Sequence, residues 1–328
     1  MSVREPLRLE HLVFLQKHTV FAEQWEEVAD FLKQAFPDVR VTGAGRAEDL
    51  PPGLEADVVI APTLPWLPEA LERLRGVRWL HLLSSGVDAI WDMPFDKKNL
   101  VLTRSSGVHA APMSEYALGA MLYFAKSFDR FVEQARDGFW QRAWLDELTG
   151  RRLMILGMGH VGAMLAKRAR VFGMRVIGVQ RNPRPVEGAE RCIRPDEVID
   201  WLGETDYLVV CLPLTAATRN RIDAAFVGAL KPGAVLVDIS RGGIVVESAL
   251  VEALASGRLR GAALDVFERE PLPPDSALWR HPRVLLTPHV AGTTPYYMER
   301  ALEVFVENAR CLMRGEAPVT PVDTGAGY

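Results

Sequence analysis

Cysteine is scarce in this sequence: Cys192, Cys211 and Cys311 are the only three in 328 residues, and they lie far apart. They show no paired spacing of the kind that disulfide frameworks and zinc sites display. The histidines add no metal-ligand spacing of their own. We therefore expect free thiols, a cytoplasmic location and no metal.

A large excess of one charge and a long apolar run are also absent. The chain has 38 Lys and Arg against 42 Asp and Glu, for a formal net charge of −4. Nothing in this balance indicates a nucleic acid or an anionic membrane as partner, and no apolar stretch is long enough to cross a bilayer. The N-terminus is charged where a secretion signal would be apolar, so we expect no signal peptide.

What the sequence does contain is an alternation of short apolar strands and helices. Its length predicts about two domains, each large enough for its own core. Strands that alternate with helices are typical of an α/β fold with parallel sheets. In the first third, strands are predicted at residues 11–16, 39–42, 57–61, 79–83 and 100–103, and helices at 22–35 and 67–74. Later strands are predicted at 153–156, 174–179, 207–212, 234–239, 262–267 and 284–287.

Two longer helices frame the later strands. One is predicted over residues 112–138, with Pro112 in its first turn, and the other over residues 295–313. The tail at 315–328 is rich in Pro and Gly, and we expect it to lie along the surface.

A glycine-rich turn after the strand at 153–156 carries the strongest functional signal. It contains Gly157, Gly159 and Gly162, in the pattern G-x-G-x-x-G. The first glycine permits a tight turn, the second lets the backbone approach a pyrophosphate, and the third lets helix and strand pack closely. The amides that open the following helix would face the anion. Ordinary turns also contain this pattern, so it is the strand and helix on either side that predict a dinucleotide site.

Three chemically active side chains follow three of the later strands. Arg241 follows the strand at 234–239, Glu270 that at 262–267, and His289 that at 284–287. Ligands of parallel α/β sheets bind beyond the carboxyl ends of the strands, so we expect these side chains to converge beside the nicotinamide. Each alone is an ordinary surface or structural residue, and only their order on successive strands indicates a site.

These three residues meet the needs of hydride reduction of a 2-oxo acid. An arginine can hold a carboxylate by two parallel hydrogen bonds and polarise the carbonyl. Histidine titrates near neutrality and can supply the proton for the new hydroxyl group. A carboxylate on the other imidazole nitrogen would favour the protonated ring. We therefore predict Arg241 as the substrate-binding group, His289 as the acid–base and Glu270 as its partner.

Segments distributed over nearly the whole chain resemble the D-isomer-specific 2-hydroxyacid dehydrogenase family, in particular its glyoxylate/hydroxypyruvate reductase-like members. Besides the glycine turn, they are residues 84–88 (SSGVD), 105–109 (SSGVH), 147–150 (ELTG), 212–215 (LPLT), 240–243 (SRGG), 264–267 (LDVF), 270–271 (EP) and 288–289 (PH). The resemblance implies two Rossmann-like or flavodoxin-like domains with parallel sheets and a cleft between them. The substrate domain would be discontinuous, 1–103 plus 295–328, and the NAD(P)-binding domain would cover 104–294.

The resemblance also implies roles for individual residues. The amides of Ser85 and Gly86 would bind the substrate carboxylate, and Asp265 would hold the nicotinamide carboxamide. Helices at about 110–150 would form a homodimer interface, and Trp140 and Trp144 suit either that interface or the core of the chain. The other cofactor contacts implied are Gly157, Gly159, His160, Val161, Gly162, Gln180, Arg181, Asn182, Leu212, Pro213, Leu214, Thr218, Ile239, Ser240, Arg241, His289 and Gly292.

Two departures from the family pattern bear on the cofactor site. Gln180 stands where NAD-preferring members carry an acidic residue, and Arg181 and Arg184 follow it. A missing carboxylate and an added arginine suit a 2′-phosphate, so we expect NADP(H) to be favoured over NAD(H), although both arginines also suit a solvated loop. Asp238 stands where many relatives carry Asn, and it is either an ion-pair partner or a buried acid.

These features predict an NADPH-dependent reductase of small 2-oxo acids such as glyoxylate or hydroxypyruvate, with a D-2-hydroxy acid as product. Leu64, Trp66, Tyr296 and Tyr297 are candidate pocket residues. The nearest alternative is a D-2-hydroxyacid dehydrogenase that acts on D-lactate or on branched hydroxy acids. A long-type 3-phosphoglycerate dehydrogenase is disfavoured because no regulatory domain follows the last helix. An NAD(H)-sensing, corepressor-like binding protein would share the fold and the three residues. Tight cofactor binding without turnover would favour that interpretation.

Overall fold

The structure consists of two compact units. A computed structural model describes residues 6–322, without the side chain of Asp88. The first unit comprises the residues up to Val108 and those from Thr294 onward, and the second unit comprises His109–Thr293. Residues 1–5 and 323–328 of the predicted substrate domain, and the Asp88 side chain of its SSGVD motif, lie outside the described part.

The first unit is built on parallel strands joined by helices. Its strands are β1 (His11–Leu15), β2 (Arg40–Ala44), β3 (Leu54–Glu55), β4 (Val58–Ala61), β5 (Leu74–Arg75), β6 (Trp79–Leu82) and β7 (Val101–Arg104). Its helices are α1 (His18–Ala35) and α2 (Leu67–Arg73), with short 3-10 turns at Ala47–Asp49 and Asp88–Ile90. Five strands form one parallel sheet in the order β2-β1-β4-β6-β7, which is the flavodoxin-like order, and β3 pairs with β5.

The second unit follows the same plan with more strands. Its strands are β8 (Arg152–Leu156), β9 (Arg175–Val179), β10 (Arg191–Ile193), β11 (Tyr207–Val210), β12 (Ala234–Asp238), β13 (Leu259–Leu264) and β14 (Val284–Leu286). Its helices are α3 (Ala110–Ala125), α4 (Phe128–Arg136), α5 (His160–Val171), α6 (Ile199–Leu202), α7 (Ala224–Ala229) and α8 (Glu247–Ala255), with a 3-10 turn at Ala277–Arg280. The parallel order β10-β9-β8-β11-β12-β13-β14 is the Rossmann order with a seventh strand added. Two parallel sheets confirm the predicted α/β fold class.

Both faces of the second sheet are covered, which explains why most side chains of its strands are apolar on both faces. In β8, Leu153 and Ile155 pack into one hydrophobic core, whereas Met154 and Leu156 pack into another. Successive side chains of a strand point to opposite faces, so a strand covered on both sides is apolar on both faces along most of its length. The glycine turn that follows β8 is therefore attached to a rigid, fully buried strand.

The last helix, α9 (Tyr297–Met313), returns to the sheet of the first unit. Phe305 of α9 stacks on Trp79 of β6, with 4.8 Å between the ring centroids. Val28 and Leu32 of α1 belong to the same hydrophobic core. Within residues 6–322, no helix combines the length and the apolar content that a membrane crossing would require.

A buried polar network ties β6 to β7. His81 Nδ1 lies 2.7 Å from the Thr103 hydroxyl, and His81 Nε2 lies 3.1 Å from the Ser105 hydroxyl. The indole N–H of Trp79 donates to the same Thr103 hydroxyl at 2.8 Å. Burial lowers the pKa of His81 to about 3, so its ring is neutral at physiological pH and serves the fold as a hydrogen-bonding group.

The single helix predicted over residues 112–138 is wrong, because the chain forms α3 and α4 instead. Helix α3 ends where the Asp146 amide donates to the Ala125 carbonyl at 3.0 Å, an acceptor that a continuing helix would use itself. Ser127 then adopts a left-handed conformation, with φ of 50°. Asp129 of α4 accepts two hydrogen bonds from Arg260 of β13, at 2.7 and 2.9 Å, which hold α4 against the sheet.

The tail is paired with the first sheet and is not simply laid on the surface as predicted. Thr103 pairs with Pro321 in antiparallel fashion, and the Val322 amide donates to the Leu102 carbonyl at 3.0 Å. Val322 is buried as a result. An edge strand such as β7 offers unpaired backbone groups, and the tail satisfies them up to residue 322.

Candidate active site

The glycine turn between β8 and α5 brings backbone segments unusually close together. Gly157 has φ of 102°, and a Cβ there would lie 2.7 Å from the carbonyl oxygen of Cys211, just beyond β11. A Cβ on Gly162 would lie 2.0 Å from the carbonyl oxygen of Gly157. Both positions therefore require glycine, the first for the turn at the junction of β8 and β11 and the second for the packing of α5.

Gly159 differs from the other two glycines because, its chain neighbours aside, a Cβ there would meet no atom of the described residues within 4 Å. Helix α5 begins at the next residue, His160, and no side chain within residues 6–322 caps its N-terminus. The first amides of the helix and its positive dipole end are thus available to an anion. An open, uncapped turn where the strand order reverses, between β8 and β11, fits a dinucleotide pyrophosphate.

The turn after β9 lies beside the glycine turn, because the Gly157 amide donates to the Val179 carbonyl at 3.1 Å. The side-chain amide of Gln180 donates to the Arg184 carbonyl at 2.7 Å and closes this turn. The side chains of Arg181 and Arg184 are exposed, as is that of Asn182. The turn therefore carries two arginines and no carboxylate at the end of β9.

The loop after β11 is closed by the hydroxyl of Thr218. That hydroxyl donates to the Pro213 carbonyl at 2.6 Å and accepts from the Thr215 amide at 2.8 Å. Leu212 and Leu214 are half-buried against the hydrophobic core. Thr218 thus shapes the loop itself. Of the other predicted cofactor contacts, His160 is exposed and Val161 half-buried at the start of α5, and Ile239 and Ser240 are buried after β12.

Arg241, Glu270 and His289 follow β12, β13 and β14, which are neighbours in the sheet. His289 Nδ1 lies 2.8 Å from Glu270 Oε2, and both side chains are accessible to a ligand, with 49% and 37% exposure respectively. The loop that carries Arg241 touches the loop that carries Glu270, since a Cβ on Gly242 would lie 1.7 Å from the Phe267 carbonyl oxygen. The structure therefore pairs Glu270 with His289 and joins the loop of Arg241 to them. Ser85 and Gly86 belong to the first unit, in the turn after β6.

Asp265, predicted as a cofactor contact, holds the loop from which His289 projects. The strand predicted at 262–267 ends instead at Leu264, and Asp265 begins the loop, fully buried. Its Oδ1 accepts from the Thr287 hydroxyl at 2.6 Å and from the Val290 amide at 2.8 Å. Its Oδ2 accepts from the Ala291 amide at 2.9 Å. The donors of these bonds precede and follow His289 in the chain, and the backbone of His289 has φ of 54°.

Two residues near this loop were not predicted as site residues. His109 Nδ1 lies 3.1 Å from the Gly292 carbonyl oxygen, and the Tyr116 hydroxyl lies 2.7 Å from that of Thr287. Burial, and to a smaller extent the charge of Arg241, lower the pKa of His109. Contacts between residues this distant in the chain leave no periodic signal in the sequence. The SSGVH motif at 105–109 was the one available sign.

Of the two alternatives that the sequence left open for Asp238, an ion-pair partner or a buried acid, the structure supports the buried acid. It is 2% exposed, and within residues 6–322 it has no ion-pair partner. Its Oδ1 accepts from the Ser240 amide at 3.0 Å and from the Ser240 hydroxyl. Burial raises the pKa of Asp238 from 3.8 to about 7.

The four candidate pocket residues differ in their exposure and contacts. Leu64 is wrong as a pocket residue, because its side chain is fully enclosed in the hydrophobic core of the first unit. Trp66 packs partly against the same core. The Tyr297 hydroxyl donates to the Leu83 carbonyl and so supports the turn after β6, whereas Tyr296 is exposed.

Comparison with known proteins agrees with this geometry. The family model for the NAD-binding domain of D-isomer specific 2-hydroxyacid dehydrogenases matches residues 118–291. The glyoxylate/hydroxypyruvate reductase A of Salmonella typhimurium is 32% identical over 322 residues, which cover 95% of this chain and 98% of that protein.

Two solved structures, each 30% identical, cover 98% of this chain and are themselves covered in full. One is an NADPH-dependent glyoxylate/hydroxypyruvate reductase from Sinorhizobium meliloti in complex with NADP and sulfate, with a TM-score of 0.82. The other is a D-isomer specific 2-hydroxyacid dehydrogenase from Xanthobacter autotrophicus in complex with NADPH and MES, with a TM-score of 0.83. The chain belongs to the D-isomer-specific 2-hydroxyacid dehydrogenase family, as its sequence motifs predicted. It is an NAD(P)-dependent oxidoreductase that acts on 2-hydroxy and 2-oxo acids.

We predict that Asp238→Asn stabilises the protein in mild alkali. Because folding raises the pKa of this acid from 3.8 to about 7, the folded chain retains a proton that the unfolded chain has lost, and stability falls as the pH rises through this window. Asn keeps an acceptor oxygen for Ser240 without the charge. We therefore expect the free energy of unfolding at about pH 8 to increase by ~1–3 kcal/mol.

Urea unfolding between about pH 4 and pH 8 measures this effect. The exposed Asp275 provides the control, since Asp275→Asn changes no buried charge. Equal pH dependence in native protein and Asp238→Asn would contradict the assignment of Asp238 as a buried acid.

Proposed function

We propose that this protein is an NADPH-dependent reductase of small 2-oxo acids, with glyoxylate and hydroxypyruvate as the favoured substrates and D-2-hydroxy acids as products. The observation that carries the proposal is the 2.8 Å contact between His289 and Glu270 beside the loop of Arg241, in a dinucleotide-binding fold. Bound NADPH supplies the hydride that reduces the carbonyl carbon. The names of the Salmonella and Sinorhizobium relatives support glyoxylate and hydroxypyruvate as the substrate class.

The roles of the three side chains follow from their chemistry. Glu270 accepts a hydrogen bond from Nδ1–H of His289, which fixes the ring and leaves the Nε2 proton for the substrate. His289 then delivers that proton to the carbonyl oxygen as the alcohol forms. Arg241 binds the carboxylate and polarises the carbonyl, with the amides of Ser85 and Gly86 as further donors to the carboxylate.

Removal of either member of the acid–base pair is expected to lower kcat strongly. For both His289→Asn and Glu270→Gln we expect a loss of about 100-fold or more in glyoxylate reduction, because proton delivery is lost or misdirected. Optical measurement of NADPH oxidation with glyoxylate, hydroxypyruvate, pyruvate, phenylpyruvate and 2-oxoisocaproate provides the rates.

Glu268→Gln is the matched control for Glu270→Gln. Glu268 is a neighbouring exposed carboxylate that accepts from the Glu247 amide at 2.9 Å, outside the acid–base pair. The role of Glu270 is refuted if both variants retain the native rate. Tight cofactor binding without turnover of any acid by the native protein would favour a cofactor-sensing function instead.

The preference for NADPH rests on the turn after β9. Gln180 brings no negative charge to the end of the strand, and its side chain closes the turn that carries Arg181 and Arg184. An arginine beside this position can pair with a 2′-phosphate, whereas an acidic residue would repel it. The complexes of the Sinorhizobium and Xanthobacter proteins with NADP and NADPH support the same preference.

Arg181→Gln is expected to raise the KM for NADPH by about tenfold or more, because a charge-assisted bond to the phosphate is lost. The KM for NADH should change little, since NADH lacks that phosphate. The control is Arg175→Gln, at the opposite end of β9, where the arginine pairs with Glu190. Parallel steady-state assays with both cofactors test this, and a native preference for NADH would overturn the assignment.

We also propose that the protein is a homodimer. An exposed apolar group occupies α4 and the segment that follows it, and a second copy would cover it. Trp140 and Trp144 are 93% and 100% exposed, so neither packs in the core of the described residues. The other members of the group are Phe128, Val132, Phe139 and Leu145.

The double variant Trp140→Ser, Trp144→Ser should weaken dimerisation by at least about tenfold, because large aromatic side chains dominate interface energies. Sedimentation velocity over a range of protein concentrations gives the dissociation constant. Val171→Ser, at an apolar residue that is 85% exposed outside this group, should leave it unchanged. A native protein that is monomeric at every concentration would disprove the proposal.

A further inference from the structure

The turn after β6 in the first unit contains two adjacent backbone amides for which the described residues offer no acceptor. Neither Ser85 nor Gly86 uses its amide in a hydrogen bond within the described part of the chain, although both residues are half-buried. Backbone amides in such positions normally find a partner in the protein, in water or in a ligand. Successive free amides in a turn form an anion-binding arrangement.

This turn is held in place from several sides. The Ser85 hydroxyl donates to the Ser105 carbonyl at 2.6 Å, and the Ser84 hydroxyl donates to the Gly86 carbonyl at 2.7 Å. The Tyr297 hydroxyl donates to the Leu83 carbonyl. The two amides are therefore fixed before a ligand arrives, which reduces the ordering cost of binding.

Arg104 adds a charged contact to the same turn. It is the last residue of β7 and lies opposite Leu82 of β6, at the end of the sheet from which the turn emerges. Its Nη1 donates to the Ser85 carbonyl at 2.9 Å. That carbonyl and the Gly86 amide belong to one peptide group. A charge-assisted bond to the carbonyl polarises the peptide and makes the Gly86 N–H a stronger donor.

We propose that Arg104 is a positioning residue for the substrate carboxylate, acting through the Ser85–Gly86 peptide. The guanidinium fixes and polarises the Gly86 amide, and its positive charge increases the attraction of the turn for an anion. This inference rests on the proposed function, because it takes the substrate to be a 2-oxo acid whose carboxylate binds these amides. It adds to Arg241 a second arginine that governs substrate affinity.

The test compares Arg104→Gln and Arg104→Lys with the native enzyme. In Arg104→Gln we expect the KM for glyoxylate and the Kd for oxamate, an unreactive analogue, to rise together by about tenfold. kcat should stay within about twofold and the KM for NADPH should not change, since ground-state binding of the carboxylate is what is lost. Arg104→Lys keeps the charge and should give an intermediate effect. The ratio of variant to native KM should be constant from about pH 6 to pH 9, because arginine stays charged throughout.

Arg78→Gln is the matched control, because Arg78 also donates to a backbone carbonyl in the first unit, that of Arg8 at 2.7 Å, but at the other end of β6. The inference is overturned if Arg104→Gln binds oxamate as tightly as the native enzyme does. It is also overturned if kcat and the affinity for NADPH fall as much as the affinity for oxamate, which would mean a purely structural role. A native enzyme that neither reduces glyoxylate nor binds oxamate would overturn the proposed function itself, together with this inference.

Discussion

The parallel register of β12, β13 and β14 is the constraint on which the candidate site depends. Asp238 is paired with Leu264, and Leu264 with Leu286, so the three strands end at the same level of the sheet. Their loops consequently leave side by side. The amide of Asp265 donates to the Asp238 carbonyl at 3.0 Å, and its carboxylate fixes the loop after β14. The contact between the proposed acid–base pair follows from this alignment.

Two buried carboxylates at these strand ends have different environments and different consequences. Both oxygens of Asp265 accept hydrogen bonds from the loop after β14, so its burial is compensated by bonds that also shape the site. Among the described residues, the carboxylate of Asp238 accepts hydrogen bonds from Ser240 alone, and burial raises its pKa to about 7. Asp265 therefore fixes the loop after β14, whereas Asp238 makes the free energy of unfolding depend on pH.

Backbone amides supply both of the anion-binding positions that we infer. The start of α5 offers uncapped amides beyond Gly159, and the turn after β6 offers those of Ser85 and Gly86. Fixed backbone donors need no rearrangement when an anion binds, which favours recognition of phosphate and carboxylate groups. Arg104 adds charge at the second of these positions, where it donates to the Ser85 carbonyl, and Arg181 follows β9 beside the glycine turn of the first.

The sequence by itself determined the fold class, the family and the glycine turn, because burial on both faces of a sheet and backbone approach at Gly157 and Gly162 leave local signals. It also placed the proposed catalytic residues in order on successive strands. Only the tertiary structure decided that α3 ends before Ser127, that Asp265 holds the loop of His289, and that Asp238 is a buried acid. Each of these depends on hydrogen bonds or burial between segments distant in the chain, and such contacts impose no period on the sequence that could reveal them.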